Sequence, residues 1–284
     1  MRACRACSVL PRSVLTPKLS SPASDVFLIS LMKGGTTWMN NIVWLLLHGI
    51  ADDGSVAVPV SADTLGSTKQ VYPEALDMRR NPTPAATDAM RYKHFGSHGF
   101  VDDLCTQPAP RLFATHMFGR KLLPRELFGD SGKGRLIVVV RNLKDVLASL
   151  HFFRGEAKDG WRGNEHGPGS FARFLAGVNA YGSCFDWVKA MDEVANELAR
   201  SGRACIVYFE ALKRNLPAQL ERIATFLGVS TAKAKLAAVA AAVGFDAMRA
   251  ARPDAETLRK GGIGDWRNHL DEATWAQFDA HFER

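Results

Sequence analysis

The sequence predicts an α/β fold, a single domain with a central parallel sheet flanked by helices. Short apolar segments with many β-branched residues alternate with longer segments whose apolar residues recur at helical spacing. Such alternation favours parallel strands that are covered by helices on both faces. Residues 25–284 contain no internal repeat and no Pro/Ser-rich linker, which predicts one domain over that range.

The first predicted strand and helix enclose a glycine loop. VFLISL begins at Val26 and is typical of a buried strand, and the apolar spacing from Trp38 predicts a helix that stops at Gly49. The intervening KGGTT offers backbone N–H groups, a lysine and two hydroxyls, which together suit a phosphate. Because Lys33 precedes the glycines, the domain is P-loop-like without matching the ATP-binding pattern. The alternative is an ordinary tight turn.

Three further apolar segments predict the remaining strands. They are RLFATHMF (111–118), GRLIVVVRN (134–142) and ACIVYFE (204–210). The first is expected to end at Thr115 and His116, and the second leads into a helix that begins KDVLAS.

Charge and composition exclude several classes of function. The formal net charge is +7, of which residues 1–24 contribute +4 and the remainder +3. This distribution favours small anionic ligands over nucleic acid. No apolar run reaches the ~18 residues that a membrane span needs, so we expect no membrane partner. Five cysteines without a regular spacing favour a reducing compartment and no metal site.

Residues 1–24 are rich in Arg, Ser and Pro and contain no acidic residue. They are expected to form either a disordered extension or an organelle transit peptide. Without such targeting, the predicted location is cytoplasmic. Long irregular segments at 51–70, 77–110 and 154–170 are expected to line a substrate pocket, because such segments in compact domains often form binding sites.

The end of the predicted strand 134–142 offers a first candidate for anion binding. An ATP-dependent enzyme places a metal-binding carboxylate there, whereas this chain has Arg141. Ser149 follows eight residues later, so both side chains could reach one phosphate. The alternative is that Arg141 pairs with an acidic neighbour such as Asp145.

A second basic glycine loop, LRKGGIGDW, lies near the C-terminus. Arg259 and Lys260 would neutralise an anion there, and Gly261 would let the backbone approach it. The alternative is a solvated basic turn. His116, at the end of a predicted strand, is a candidate general base near neutral pH.

Taken together and in this order, the motifs resemble those of the cytosolic sulfotransferase family. LMKGGTTW resembles the family signature Y-P-K-S-G-T-T-W, and VVVRNLKDVLAS resembles R-N-x-K-D-x-x-x-S. LRKGGIGDWRNHL resembles R-K-G-x-x-G-D-W-K-N-x-F, and ATHM stands where the family has K-T-H-L-P. The matches extend from about residue 25 to residue 282, nearly the whole chain.

The resemblance implies a donor, a reaction and a set of site residues. The donor is 3′-phosphoadenosine 5′-phosphosulfate (PAPS), the product nucleotide is 3′,5′-ADP, and the acceptor is a small molecule with a hydroxyl or amine; no metal takes part. The implied catalytic residues are His116, which takes the acceptor's proton, and Lys33, which stabilises charge on the leaving phosphate. The implied donor-binding residues are Lys33, Gly34, Gly35, Thr36, Thr37, Trp38, Arg141, Ser149, Phe209, Arg259, Lys260 and Gly261.

The chain departs from the family pattern at several positions. The family lysine two residues before the base is Ala114 here, and the family tyrosine beside the adenine is Phe209. The family dimer motif K-x-x-x-T-V would fall at 267–272, where Asp271 and Glu272 replace its apolar centre, so the oligomeric state stays open. Two alternative functions follow. One is a catalytically silent nucleotide-binding relative, favoured by Ala114, and the other is a P-loop kinase.

Overall fold

The computed structural model of the chain describes residues 25–57, 109–116, 118–119, 128, 134–155, 174–177, 182–251, 258–269 and 271–282. The predicted extension at 1–24 and most of the three irregular segments lie outside these residues.

The described strands form one parallel sheet. They are β1 (Val26–Ser30), β2 (Leu112–Thr115), β3 (Arg135–Val140) and β4 (Ala204–Tyr208), in the order β2-β1-β3-β4. Within this register Val26 lies opposite Leu112 on one side and Arg135 on the other. Because all four strands are parallel, their carboxyl ends lie at one edge of the sheet, and β1 ends between its two neighbours.

Described helices follow β1, β3 and β4, and another precedes β4. They are α1 (Thr36–Trp44, extended by a π-helical turn Leu45–Gly49), α2 (Leu143–Gly155), α3 (Cys184–Ala199), α4 (Phe209–Arg214), α5 (Leu216–Leu227), α6 (Lys233–Ala242), α7 (Phe245–Ala251), a 3₁₀ turn (Asp265–Asn268) and α8 (Glu272–Phe282). The predicted strand 204–210 was two residues too long, because Phe209 begins α4. FEALKR contains good helix formers and places Glu210 in the first turn, where the helix dipole favours an acid.

The sheet is covered on both faces, as the near-continuous apolar strands predict. Val26 and Leu28 belong to the larger core cluster, which α1, α5 and α6 complete. Phe27 and Ile29 belong to the opposite cluster, where they pack with α3 around Trp187. Alternate β1 side chains therefore enter two different cores, and each fully buried aliphatic side chain contributes about 1.5–3 kcal/mol.

A buried ion pair joins the amino ends of β1 and β2. Arg111 Nε donates to Asp25 Oδ1 at 3.0 Å and Arg111 Nη2 donates to Oδ2 at 2.6 Å. The backbone N–H of Val26 also donates to the carbonyl of Arg111 at 2.8 Å. A forked, charge-assisted contact of this kind defines the register between the strands. That register in turn determines where His116 lies relative to the loop after β1.

Candidate active site

The predicted site residues follow the carboxyl ends of three adjacent strands. KGGTT follows β1, His116 directly follows β2, and Arg141 directly follows β3. In open α/β sheets this edge is where ligands bind. The strand order thus collects segments that are far apart in sequence.

The glycine loop between β1 and α1 is a tight turn in which two residues have positive φ. Lys33 has φ 64° and Gly35 has φ 111°, and the N–H of Gly34 donates to the carbonyl of Leu31 at 2.8 Å. A Cβ on Gly35 would lie 2.9 Å from Phe209 Cδ2. Only glycine therefore permits both this backbone conformation and this close approach to α4.

The first turn of α1 is a suitable place for an anion. The helix has no side-chain cap at Gly35 and no acidic residue in its first turn, so the positive end of its dipole is not neutralised from within. Thr36 is buried and its hydroxyl is hydrogen-bonded to that of Ser30. Thr37 is half-buried on the same turn.

Arg141 joins the first glycine loop to the C-terminal one. Its Nη1 donates to the carbonyl of Lys33 at 3.0 Å, and its Nη2 donates to the carbonyl of Gly262 at 3.2 Å. The guanidinium lies 4.3 Å from the centroid of the Phe209 ring, while its buried Nε has no hydrogen-bond partner. Burial lowers the pKa of Arg141, and the carboxylates of Asp145 and Glu210 oppose that shift.

Asp145 and Arg141 interact through their charges, but the Asp145 carboxylate makes its hydrogen bonds to backbone N–H groups. Asp145 is buried, and its carboxylate accepts the backbone N–H of Gly264 at 2.7 Å and that of Trp266 at 3.2 Å. Its neighbour Lys144 lies 4.6 Å from the Trp266 ring centroid. The start of α2 therefore holds residues 258–269, which we call the closing loop.

Two cations of the closing loop converge on one carboxylate. Lys260 Nζ donates to Asp265 Oδ1 at 2.9 Å, and Arg259 pairs with Oδ2. Burial raises the pKa of Asp265, but these partners, with a hydrogen bond from Asn268, outweigh it and hold the pKa below its usual range. The Arg259 guanidinium also lies 4.2 Å from the Phe152 ring centroid.

Gly261 gives the closing loop its close contact with the aromatic side of the site. It has φ 59°, and a Cβ there would lie 2.7 Å from Phe245 Cδ2. Trp38 lies on the same aromatic side of the site. Its Nε1 donates to the carbonyl of Val243 at 2.9 Å, and its ring meets that of Phe209 edge-on, with the ring centroids 5.4 Å apart. Aromatic rings beside two glycine loops suit a nucleobase with phosphates.

His116 is buried and oriented by the end of β1. Its Nδ1 lies 2.9 Å from the carbonyl oxygen of Ser30, which can only accept, so Nδ1 carries the proton and the neutral ring has its lone pair on Nε2. Burial lowers the pKa of His116 to about 4; the bond to Ser30 opposes this shift and the charge of Lys33 adds to it. The imidazole is therefore neutral at physiological pH, as a general base must be.

Ser149 lies on the α2 face that meets the closing loop. It stands four residues after Asp145 and three before Phe152, a spacing that puts the three side chains on one helical face. Asp145 and Phe152 both contact the closing loop. This spacing puts Ser149 on the side of α2 that faces the closing loop, and its contact with a phosphate stays a prediction.

Sequence reasoning missed several residues that organise the site. Ser30 contacts both Thr36 and His116, and Asp145 and Asp265 hold the closing loop. A signal existed for Ser30, which is a polar residue at the end of an otherwise apolar buried strand. Ala114, the departure from the family lysine, is fully buried in the larger core cluster.

Comparison with known proteins identifies the chain's family. The sequence profile described as "Sulfotransferase domain" matches residues 23–284. The chain belongs to the sulfotransferase family. Mouse Sulfotransferase 2B1 is 27% identical over 280 residues, which cover 90% of this chain and 69% of that protein. Human Sulfotransferase 6B1 is 27% identical over 274 residues, which cover 91% of this chain and 75% of that protein. The predicted family and enzyme class are confirmed.

Solved sulfotransferase structures share the fold. The crystal structure of mouse sulfotransferase SULT7A1 complexed with PAP has a TM-score of 0.65 at 22% identity, covering 92% of this chain and 84% of that one. Retinol dehydratase, in a complex with retinol and PAP, has a TM-score of 0.66 at 19% identity, covering 93% and 82% of the two chains. These similarities confirm the predicted α/β fold class.

The described part of the chain offers neither a metal-binding cluster nor a membrane-spanning helix. Those residues include no group of three or more His, Cys, Asp or Glu side chains that could hold a metal ion. Among the same residues, no helix combines the length and the apolar character needed to cross a membrane.

Proposed function

We propose that this sulfotransferase transfers the sulfonate group of PAPS to a hydroxyl or amine of a small-molecule acceptor, with His116 as general base. The observation that carries the proposal is the contact of Arg141 with both glycine loops, through the carbonyls of Lys33 and Gly262. One half-buried cation that joins two anion-binding loops suits a donor with phosphates at two positions of its ribose.

The described residues fit such a donor. The loop from Gly34 to Thr37 would hold the 5′-phosphate, and Trp38 and Phe209 would contact the adenine. Ser149 and the cations of the closing loop, with Gly261, would hold the 3′-phosphate. The buried Arg141 Nε, which has no hydrogen-bond partner, offers an N–H that a phosphate oxygen would satisfy. The mouse and retinol dehydratase complexes with PAP, the 3′,5′-ADP nucleotide, support the choice of donor.

In the proposed reaction His116 and Lys33 have complementary tasks. PAPS supplies a sulfonate joined to a phosphate that can leave. As the acceptor oxygen or nitrogen bonds to sulfur, its proton moves to His116 Nε2, and the bond between Nδ1–H and the Ser30 carbonyl holds the ring and stabilises the imidazolium. The electron pair of the broken sulfur–oxygen bond goes to the leaving phosphate, where the Lys33 ammonium stabilises the charge.

Nucleotide binding tests the donor. We expect 3′,5′-ADP to raise the melting temperature, since saturation at about 100 times Kd stabilises a native state by about 2.7 kcal/mol. ATP with Mg²⁺ is the comparison. A larger shift with ATP and Mg²⁺ than with 3′,5′-ADP would contradict the proposal and favour a P-loop kinase.

Transfer from labelled PAPS to a broad panel of hydroxyl and amine acceptors tests the reaction. We expect labelled product from at least one acceptor, and we expect His116→Ala to abolish it while 3′,5′-ADP still binds. Donor binding without transfer to any acceptor would favour the catalytically silent relative, for which the burial of Ala114 in the core is the specific observation.

A further inference from the structure

We infer that Asp145 is a positioning residue that gives the donor site its preference for a nucleotide with a 3′-phosphate, by holding the closing loop against the end of β3. The inference rests on the proposed function. Asp145 itself would not touch the nucleotide.

Both carboxylate oxygens of Asp145 accept hydrogen bonds from the closing loop. The side chain is 2% exposed, and its two acceptors receive N–H groups from residues 119 and 121 positions later in the chain. Gly264 precedes the 3₁₀ turn Asp265–Asn268 and has φ 78°. Asp145 therefore caps the start of that turn from another element, as an acidic N-cap residue would from within the chain.

The capped turn orients the residue that holds the two cations of the closing loop. Asp265 lies between the two backbone groups that Asp145 binds, and its carboxylate pairs with Arg259 and Lys260. Arg141, which lies between the end of β3 and the start of α2, donates to the carbonyl of Gly262 in the same loop. The corner between β3 and α2 thus holds the closing loop at two points, which places its cations beside Arg141.

A charge-balancing role for Asp145 makes the opposite prediction. If Asp145 served only to offset the positive charge of Arg141, Asp145→Asn would raise the local potential and strengthen phosphate binding. If Asp145 positions the loop, the same substitution weakens binding. The amide oxygen of Asn can accept one of the two backbone N–H groups, but its NH₂ group would face the other donor.

The experiment measures the affinities of 3′,5′-ADP and 5′-AMP by calorimetry for wild type, Asp145→Asn and Asp145→Ala. We expect Asp145→Asn to weaken 3′,5′-ADP on the order of tenfold, the effect of a hydrogen bond to a charged group, and to change 5′-AMP by less than about twofold. The ratio of the two affinities is the readout, because a general loss of structure would lower both. If Asp145→Ala fails to fold, Asp145→Asn carries the test.

Asp52→Ala is the matched control. It also removes a carboxylate that joins distant segments, through Lys235 Nζ at 3.2 Å. Asp52 lies beyond the end of α1 and its π-helical turn, about 20 Å along the helix from the glycine loop. We expect Asp52→Ala to leave the affinity ratio unchanged.

Two results would overturn different parts of the reasoning. A wild-type protein that prefers 3′,5′-ADP, with Asp145→Asn keeping or increasing that preference, would refute the positioning role alone. A wild-type protein that does not distinguish the two nucleotides would refute the proposed donor, and the positioning role with it.

Discussion

Acidification is expected to weaken the native state through His116. The residue is 9% exposed, and its pKa is about 4 in the folded protein against an ordinary 6.5. Burial is the main cause, since a charged imidazolium at this position would lose its water. The unfolded chain therefore binds a proton at a higher pH than the folded chain does.

The direction and the magnitude of the change in stability follow from this difference in proton binding. Because the unfolded state binds more protons below the ordinary pKa, stability falls as pH drops through 6.5 and levels off below the folded pKa. The difference between the unfolded and folded pKa values of His116 corresponds to about 3 kcal/mol of stability, at 1.36 kcal/mol per pKa unit. About 2 kcal/mol of this stability is lost between about pH 7.5 and about pH 5.

Urea unfolding of wild type and His116→Asn over that pH range isolates the contribution. Asn cannot titrate, but its amide can still donate to the Ser30 carbonyl, so the difference between the two proteins cancels the other titrating groups. We expect the stability of wild type relative to His116→Asn to fall by about 2 kcal/mol.

The same titration should appear in catalysis. The acid limb of kcat/KM for the acceptor is expected near the folded pKa of about 4 rather than near 6.5. A stability difference that stays flat between about pH 7.5 and about pH 5, or an acid limb near the ordinary value, would refute the buried neutral imidazole.

Three further changes test other parts of the structure. Lys33→Ala should slow single-turnover transfer from labelled PAPS by about 10²–10³-fold, as loss of one oxyanion donor does; an unchanged rate would contradict its role. Gly261→Ala should weaken 3′,5′-ADP in calorimetry and cost about 1–2 kcal/mol of backbone strain, since its φ is 59° and its Cβ would meet Phe245 at 2.7 Å. Asp25→Ala should lower the free energy of urea unfolding by about 3–5 kcal/mol, because Arg111 stays buried and loses its carboxylate partner, without changing the nucleotide affinity of folded protein.

Local pattern predicted the building units of the site well. Gly35 and Gly261, chosen as loop glycines, both have positive φ and both lie against aromatic rings. The predicted strand end at Thr115 also matches the structure, whereas β3 ends at Val140, two residues before the predicted end at Asn142. The error at Phe209 has a local cause, since VYFE continues the β-branched and aromatic pattern of β4 while the residues after it favour helix.

The tertiary structure decided which groups pair with which side chains. Asp145, an acidic neighbour of Arg141 in the sequence, was the alternative partner for that arginine, but its carboxylate accepts backbone N–H groups 119 and 121 residues away. Ser30 orients His116 only because β1 and β2 are neighbours in the sheet.

The sequence by itself determined the fold class, the family motifs and the two glycine loops, because these depend on residue type and short spacing. The tertiary structure decided which loop meets which strand end, and therefore which carboxylate holds the closing loop and which nitrogen of His116 keeps its proton. The physical reason is that alternation of strands and helices does not specify the order β2-β1-β3-β4, while a hydrogen bond exists only between groups that this order brings within about 3 Å of each other.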